Sequence, residues 1–126
     1  MRAVLLVAHG SPDPDWRKPF DGVVAEVVAR TTAPVRLAFL ERQPPSVVEG
    51  VDELVSLGAT VIDVFAILLS GGGRHMKVDI PELMTTAAQR HPGVRLSLHP
   101  HAMGVHPLVL AAMAEAVLAS VDDTAR

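Results

Sequence analysis

Arg2-Ala3-Val4-Leu5-Leu6-Val7-Ala8, stopped by His9-Gly10-Ser11-Pro12, is the stretch that decides the fold. A continuous aliphatic run of this length, closed by turn residues, reads as a strand buried on both faces. Three further runs extend the pattern. Val35 to Leu40 is short, Thr60 to Leu69 is the most apolar and runs into Ser70-Gly71-Gly72-Gly73, and Val94 to Leu98 comes after His91-Pro92-Gly93. The segments between them carry a helical period. Phe20, Val23, Val24, Val27 and Val28 form one apolar face; Val47, Val48, Val51, Leu54 and Val55 form a second, with Gly58 as its stop; Ile80, Leu83, Met84, Ala87 and Ala88 form a third. Pro107 to Val121 predicts a fourth helix that is apolar on nearly every side, because Glu115 is its one charged residue. Strands alternating with helices imply right-handed crossovers. The expectation is an α/β fold: a four-stranded parallel sheet, order 2-1-3-4, with helices on both faces. In such sheets ligands bind beyond the carboxyl ends of the strands where the order switches, here between strands 1 and 3.

Composition bounds the function. The chain has 126 residues, of which 49% are hydrophobic and 3% aromatic, with no Tyr. That suits one domain, residues 1–126, with a core of Val, Leu, Ile, Ala and Met. A formal charge of −3 offers no long-range attraction to nucleic acid or an anionic membrane, so neither is expected as a partner. The absence of Cys leaves imidazole and oxygen as the metal-binding groups. The run Ala3 to Ala8 is shorter than a signal-peptide core, and no apolar stretch approaches the roughly 20 residues of a membrane span. A soluble cytoplasmic protein is expected.

The two loops at the switch carry His9 and His75. Neighbouring parallel strands lie about 4.8 Å apart, so side chains just past their ends are able to face one another and share one ion. Glu41, at the end of strand 2, would complete a His/His/Glu set. Three protein ligands with open positions describe a reactive metal site rather than a closed structural one. Arg42, Arg74, Lys77 and the glycine-loop N–H groups are placed to meet an anionic substrate. Asp79, ahead of Pro81, reads as an N-terminal helix cap, His91 as a helix-end charge, and Trp16 as packing for the first loop.

These same residues carry a resemblance. Leu6-Val7-Ala8-His9-Gly10-Ser11, Phe39-Leu40-Glu41, Gly72-Gly73-Arg74-His75-Met76-Lys77-Val78-Asp79-Ile80-Pro81, and Pro100 to Gly104 with His106-Pro107 together resemble the sirohydrochlorin chelatases. These class II enzymes insert cobalt, nickel or iron into a tetrapyrrole. The order and spacing match over nearly the whole chain. The resemblance implies a chelatase-like, flavodoxin-like half-unit, a homodimer as in the short members, and no organic cofactor; Co²⁺, Ni²⁺ or Fe²⁺ is the substrate metal, and siroheme or cobalamin biosynthesis the setting. It makes His9 the metal ligand and proton acceptor, His75 the second metal-binding histidine and Glu41 a carboxylate that joins them. It assigns Ser70, Gly71, Gly72, Gly73 and Arg74 to the loop that contacts the macrocycle. The chain departs from the family at Pro44, where many relatives have a second acidic residue before the proline.

Rival readings fit less well. A phosphate-binding glycine turn would end in Gly-Lys-Ser/Thr, but Met76-Lys77-Val78 stands there, and Met76 also takes the place of a dinucleotide motif's third glycine. A phosphotransferase using His9 would want an arginine beside it, where Ala8 stands. A non-catalytic metal or tetrapyrrole carrier would share every ligand with a chelatase.

Overall fold

A computed structural model describes residues 1–70 and 73–124, and the expected loop residues Gly71 and Gly72 lie outside those described. The chain runs β1 (Arg2–Ala8), α1 (Lys18–Arg30), β2 (Val35–Phe39), α2 (Val47–Ser56), β3 (Val61–Ala66), a π-helical turn (His75–Asp79), α3 (Ile80–Arg90), β4 (Arg95–Leu98), a 3-10 turn (Met103–Val105) and α4 (Pro107–Thr124). The four strands form one parallel sheet in the order β2-β1-β3-β4, as the alternation of runs implies. The third run is shorter than its apolar length suggests, because β3 ends at Ala66. One further bond, from the Ile67 N–H to the Val7 carbonyl, carries the ladder just past it.

Strand alternation sorts the core into two layers. Ala3, Leu5 and Val7 of β1, Ala38 of β2 and Ile62, Val64 and Ala66 of β3 face α2 and α3, packing with Val47, Val51, Leu54, Ile80, Met84 and Ala87. The opposite positions, Leu6, Ala8, Val35, Leu37 and Phe39, face α1 through Phe20, Val24 and Val27. Trp16 packs on Phe20 at 4.5 Å between ring centroids and near Phe39 at 6.3 Å, the packing role expected of it. The α2/α3 layer holds most of the fully buried side chains, whereas α1 contributes none.

Local chemistry fixes the helix ends. Ser46 starts α2 with a reciprocal capping box, its Oγ accepting from the Glu49 N–H while the Glu49 carboxylate accepts from the Ser46 N–H. At the end of α3, Arg90 donates two bonds to Asp52 in the middle of α2, at 3.1 and 2.6 Å, and the same carboxylate lies 2.6 Å from the His91 Nε2. His91 therefore ties α3 to α2 rather than acting only as a helix-end charge. The Arg90 and His91 bonds hold the Asp52 carboxyl below its ordinary value against a smaller opposing effect of burial. A carboxylate depressed in the folded state stabilises above its unfolded pKa, and that contribution is lost as pH falls through the folded value.

Replacing Asp52 by Asn should lower stability by under about 1 kcal/mol at neutral pH, the scale of a solvent-screened ion pair. The gap to the unsubstituted chain should close as the medium is acidified through the carboxylate range. Urea midpoints across pH measure this, and a gap that widens on acidification would contradict the clasp.

Candidate metal centre

His9 comes directly after the last residue of β1, and main-chain bonds continue past the strand end: the Leu40 N–H donates to the Ala8 carbonyl at 2.9 Å and the Glu41 N–H to the His9 carbonyl at 3.0 Å. Gly10 makes this possible. Its φ is +103°, and a Cβ there would run into the Glu41 carbonyl. Only a residue without a side chain can turn the chain so close to the end of β2. Ser11 is then held by its N–H, which donates to the Gln43 side chain at 3.0 Å.

His75 arrives from the other side of the switch. It opens the π-helical turn ahead of α3, a rare geometry that often marks a functional site. Met76 and Ile80 of this segment are buried in the α2/α3 layer and seat the turn against the sheet. The His75 Nδ1 donates to the Asp79 Oδ2 at 2.9 Å, and Arg74 Nε pairs with the other oxygen of Asp79 at 3.3 Å. Asp79 is therefore not the N-terminal cap that its position before Pro81 suggests. Helical backbone already runs through Arg74 to Asp79, so no helix start is left there to cap, and its side chain makes no capping bond.

The two imidazoles meet. Their ring centroids are 4.7 Å apart with the planes at 67°. Two imidazoles bound to one ion at about 2.1 Å from each nitrogen would hold their centroids about 4.5 to 5.2 Å apart, for N–metal–N angles of about 90 to 109°. The observed spacing falls within that range. Partial burial of the ring, followed by the neighbouring His75, holds the His9 imidazole below its ordinary value, and Glu41 opposes both. A neutral ring with an open lone pair is the form that binds metal.

Glu41 does not join the pair as a third donor. Among the described residues no group of three His, Cys, Asp or Glu side chains is gathered closely enough to hold an ion. Glu41 meets the His9 segment through main chain instead, its N–H donating to the His9 carbonyl. Its charge still reaches His9, and its side chain is exposed. Of the expected substrate contacts, Ser70, Gly73, Arg74, Arg42 and Lys77 are all exposed. Gly73 has φ +86° and Arg42 φ +74°, so both loops turn through left-handed backbone next to the site. His99 lies beside Phe65, at 5.7 Å between rings, on the α1 side of the sheet and so across it from His75. The His106 Nδ1 accepts from the Leu108 N–H at the start of α4.

A family model described as CbiX matches residues 3–120. The chain belongs to the CbiX family. It is 36% identical over 97 residues to the sirohydrochlorin ferrochelatase of Bacillus subtilis (strain 168), covering 76% of this chain and 37% of that protein. It is 39% identical over 84 residues to a sirohydrochlorin cobaltochelatase of Saccharolobus islandicus (strain L.S.2.15 / Lassen #1), covering 67% of this chain and 64% of that one. The chain thus spans about a third of the first relative and just under two thirds of the second. Among solved structures, the sirohydrochlorin chelatase SirB from Bacillus subtilis subspecies spizizenii in complex with cobalt superposes with a TM-score of 0.71 at 35% identity, over 77% of this chain and 42% of that one. A CbiX protein from Marinobacter aquaeolei VT8 superposes with a TM-score of 0.88 over 100% of this chain and 99% of that one; at 23% identity this agreement concerns the fold alone.

Replacing Gly10 by Ala should destabilise the fold by about 1–3 kcal/mol, the usual cost of a side chain forced into strained backbone and a closed contact. Denaturant unfolding measures it. An unchanged midpoint would contradict the tight junction between the His9 and Glu41 segments.

Proposed function

We propose that this chain inserts a divalent metal ion, Co²⁺, Ni²⁺ or Fe²⁺, into sirohydrochlorin or a related tetrapyrrole, working as one chelatase-like unit over residues 1–126. The observation that carries the reading is the pair of imidazoles, His9 and His75, facing one another at 4.7 Å. Relatives named for cobalt and for iron chelation of sirohydrochlorin support it. Imidazole and carboxylate suit all three metals, and nothing in the donor set selects among them.

The proton balance accounts for the residue types. A free-base macrocycle loses two pyrrole N–H protons as M²⁺ enters, so two N–H bonds break as four metal–nitrogen bonds form. An imidazole lone pair is unable to hold a metal and a proton together. As the ion leaves the two imidazoles for the ring nitrogens, both lone pairs are freed: that of His9 takes one pyrrole proton, and the second proton goes to the released His75. Because His9 is held below its ordinary value, it is neutral at physiological pH and ready to bind the ion first. Glu41 contributes its field to His9 and becomes a ligand only if its side chain crosses the strand end. Arg42, Arg74, Lys77, Ser70 and the glycine loop meet the carboxylates of the macrocycle.

The partner that covers α4 is, in this reading, a second copy of the chain. Leu108 is 76% exposed and Val117 60%, and Leu110, Met113, Leu118 and Val121 are exposed as well. Beside the start of α4 lies an open apolar groove of about 450 Å³, lined by Phe20, Val23, Ile67, Leu69, Met103 and Val109. A compact monomer of 13.4 kDa would expose about 6,500 Å². The chain exposes 7630 Å². The excess is on the scale of the roughly 800 Å² per partner that a specific interface removes, and a two-fold arrangement uses the same surface on both copies. No helix among the described residues is long and apolar enough to cross a membrane.

Two outcomes test the proposal. His9→Ala should reduce metal insertion into sirohydrochlorin, followed by absorbance against a no-enzyme control, to the spontaneous rate while circular dichroism stays unchanged. Insertion at the unsubstituted rate would reject the role of His9, and an intact chain that binds pigment without exceeding the spontaneous rate would make it a carrier. Light scattering at micromolar concentration should give twice the chain mass, and a monomer would reject the second copy.

A further inference from the structure

Asp79 lies outside the metal-binding trio that the motif picks out, yet its carboxylate is the best-placed acceptor near the site. Its two oxygens do different things. Oδ2 accepts from the His75 Nδ1 at 2.9 Å, and Oδ1 pairs with Arg74 Nε at 3.3 Å. The residue is held where it is by backbone, not by its own side chain: it ends the π-helical turn, next to Ile80, which is fully buried. His75 opens the same turn, and the Ile80 N–H donates to the His75 carbonyl. Ring and carboxylate therefore sit on one rigid piece of chain whose ends are both fixed in the α2/α3 layer through Met76 and Ile80.

We infer that Asp79 is a positioning residue, which keeps the proton of neutral His75 on Nδ1 and so presents Nε2, with its lone pair, to the incoming ion. The inference rests on the metal-holding role of His75 proposed above. An ionised carboxylate only accepts, so the hydrogen in the 2.9 Å contact belongs to the imidazole. With one ring nitrogen occupied as donor, the other is the sole lone pair the ring offers, and its direction is set by the same bond. Carboxylate partners of this kind orient metal-binding histidines and raise their basicity, and their loss typically costs about 10–100-fold in affinity. The second oxygen pairs with the exposed Arg74.

Three variants separate this role from the metal-binding reading itself: His75→Ala, Asp79→Ala and Asp79→Asn. Co²⁺ affinity is measured by calorimetry, and the His75 tautomer by long-range ¹H–¹⁵N NMR of the metal-free protein. His75→Ala should bind Co²⁺ far more weakly, and equal affinity would overturn the metal reading. Given that loss, Asp79→Ala should weaken Co²⁺ binding by about 10–100-fold and shift His75 from the Nδ1–H form to a mixture. Asp79→Asn, whose amide oxygen still accepts from Nδ1, should keep the tautomer and recover part of the affinity. If Asp79→Ala leaves both tautomer and affinity unchanged while His75→Ala loses the metal, the positioning role is wrong and the metal site stands. If affinity falls while the Nδ1–H form persists, the tautomer lock is equally overturned.

Discussion

Main-chain hydrogen bonds between β1 and β3, in register from Arg2 with Val61 to Val7 with Ala66, hold side by side two segments that are remote in sequence. The whole site is built on that pairing. Because the strands are parallel, both end on the same edge, and the residues just past each end are delivered to one mouth: His9 directly, and His75 after a glycine-containing loop. The pairing alone would leave the second histidine to the freedom of that loop. Its position is settled by burial, since Met76 and Ile80 are drawn into the layer beneath α2 and α3 and carry the π-helical turn with them.

The two-residue period that sorts the core into two layers stops at this edge. The Leu40 and Glu41 N–H groups both donate toward the end of β1, to the Ala8 and His9 carbonyls, which extended strands would not allow. Gly10, with its φ of +103°, turns the chain away at the same point. The histidine and the carboxylate are therefore joined through main chain at a junction shaped by the turn and not by the sheet.

Much of this is legible in the residues. The aliphatic runs from Arg2 and Thr60 mark buried parallel strands, and the spacing of Val47 to Val55 marks α2, because burial on both sides leaves no room for polar interruptions. The meeting of His9 and His75 comes from strand order. Glu41 is harder: proximity in the sheet suggests a third ligand, but β2 ends at Phe39 and strand alternation no longer says where a side chain two residues further on will point. Asp79 misleads for a definite reason. A short acid before Ile80-Pro81 has the look of a helix start, and only the structure reveals that helical backbone begins earlier, which turns the same residue into the i+4 partner of His75. The apolar α4 announces a missing cover without saying where it would sit.

A single divalent ion held by both imidazoles at once is the state on which the chemistry depends. X-ray absorption at the cobalt edge of the Co²⁺-loaded protein reads this directly, because imidazole rings leave a characteristic outer-shell scattering that can be counted. Two rings bound per cobalt is the result the geometry predicts. One ring or none, with the remaining positions filled by water or carboxylate, would contradict it.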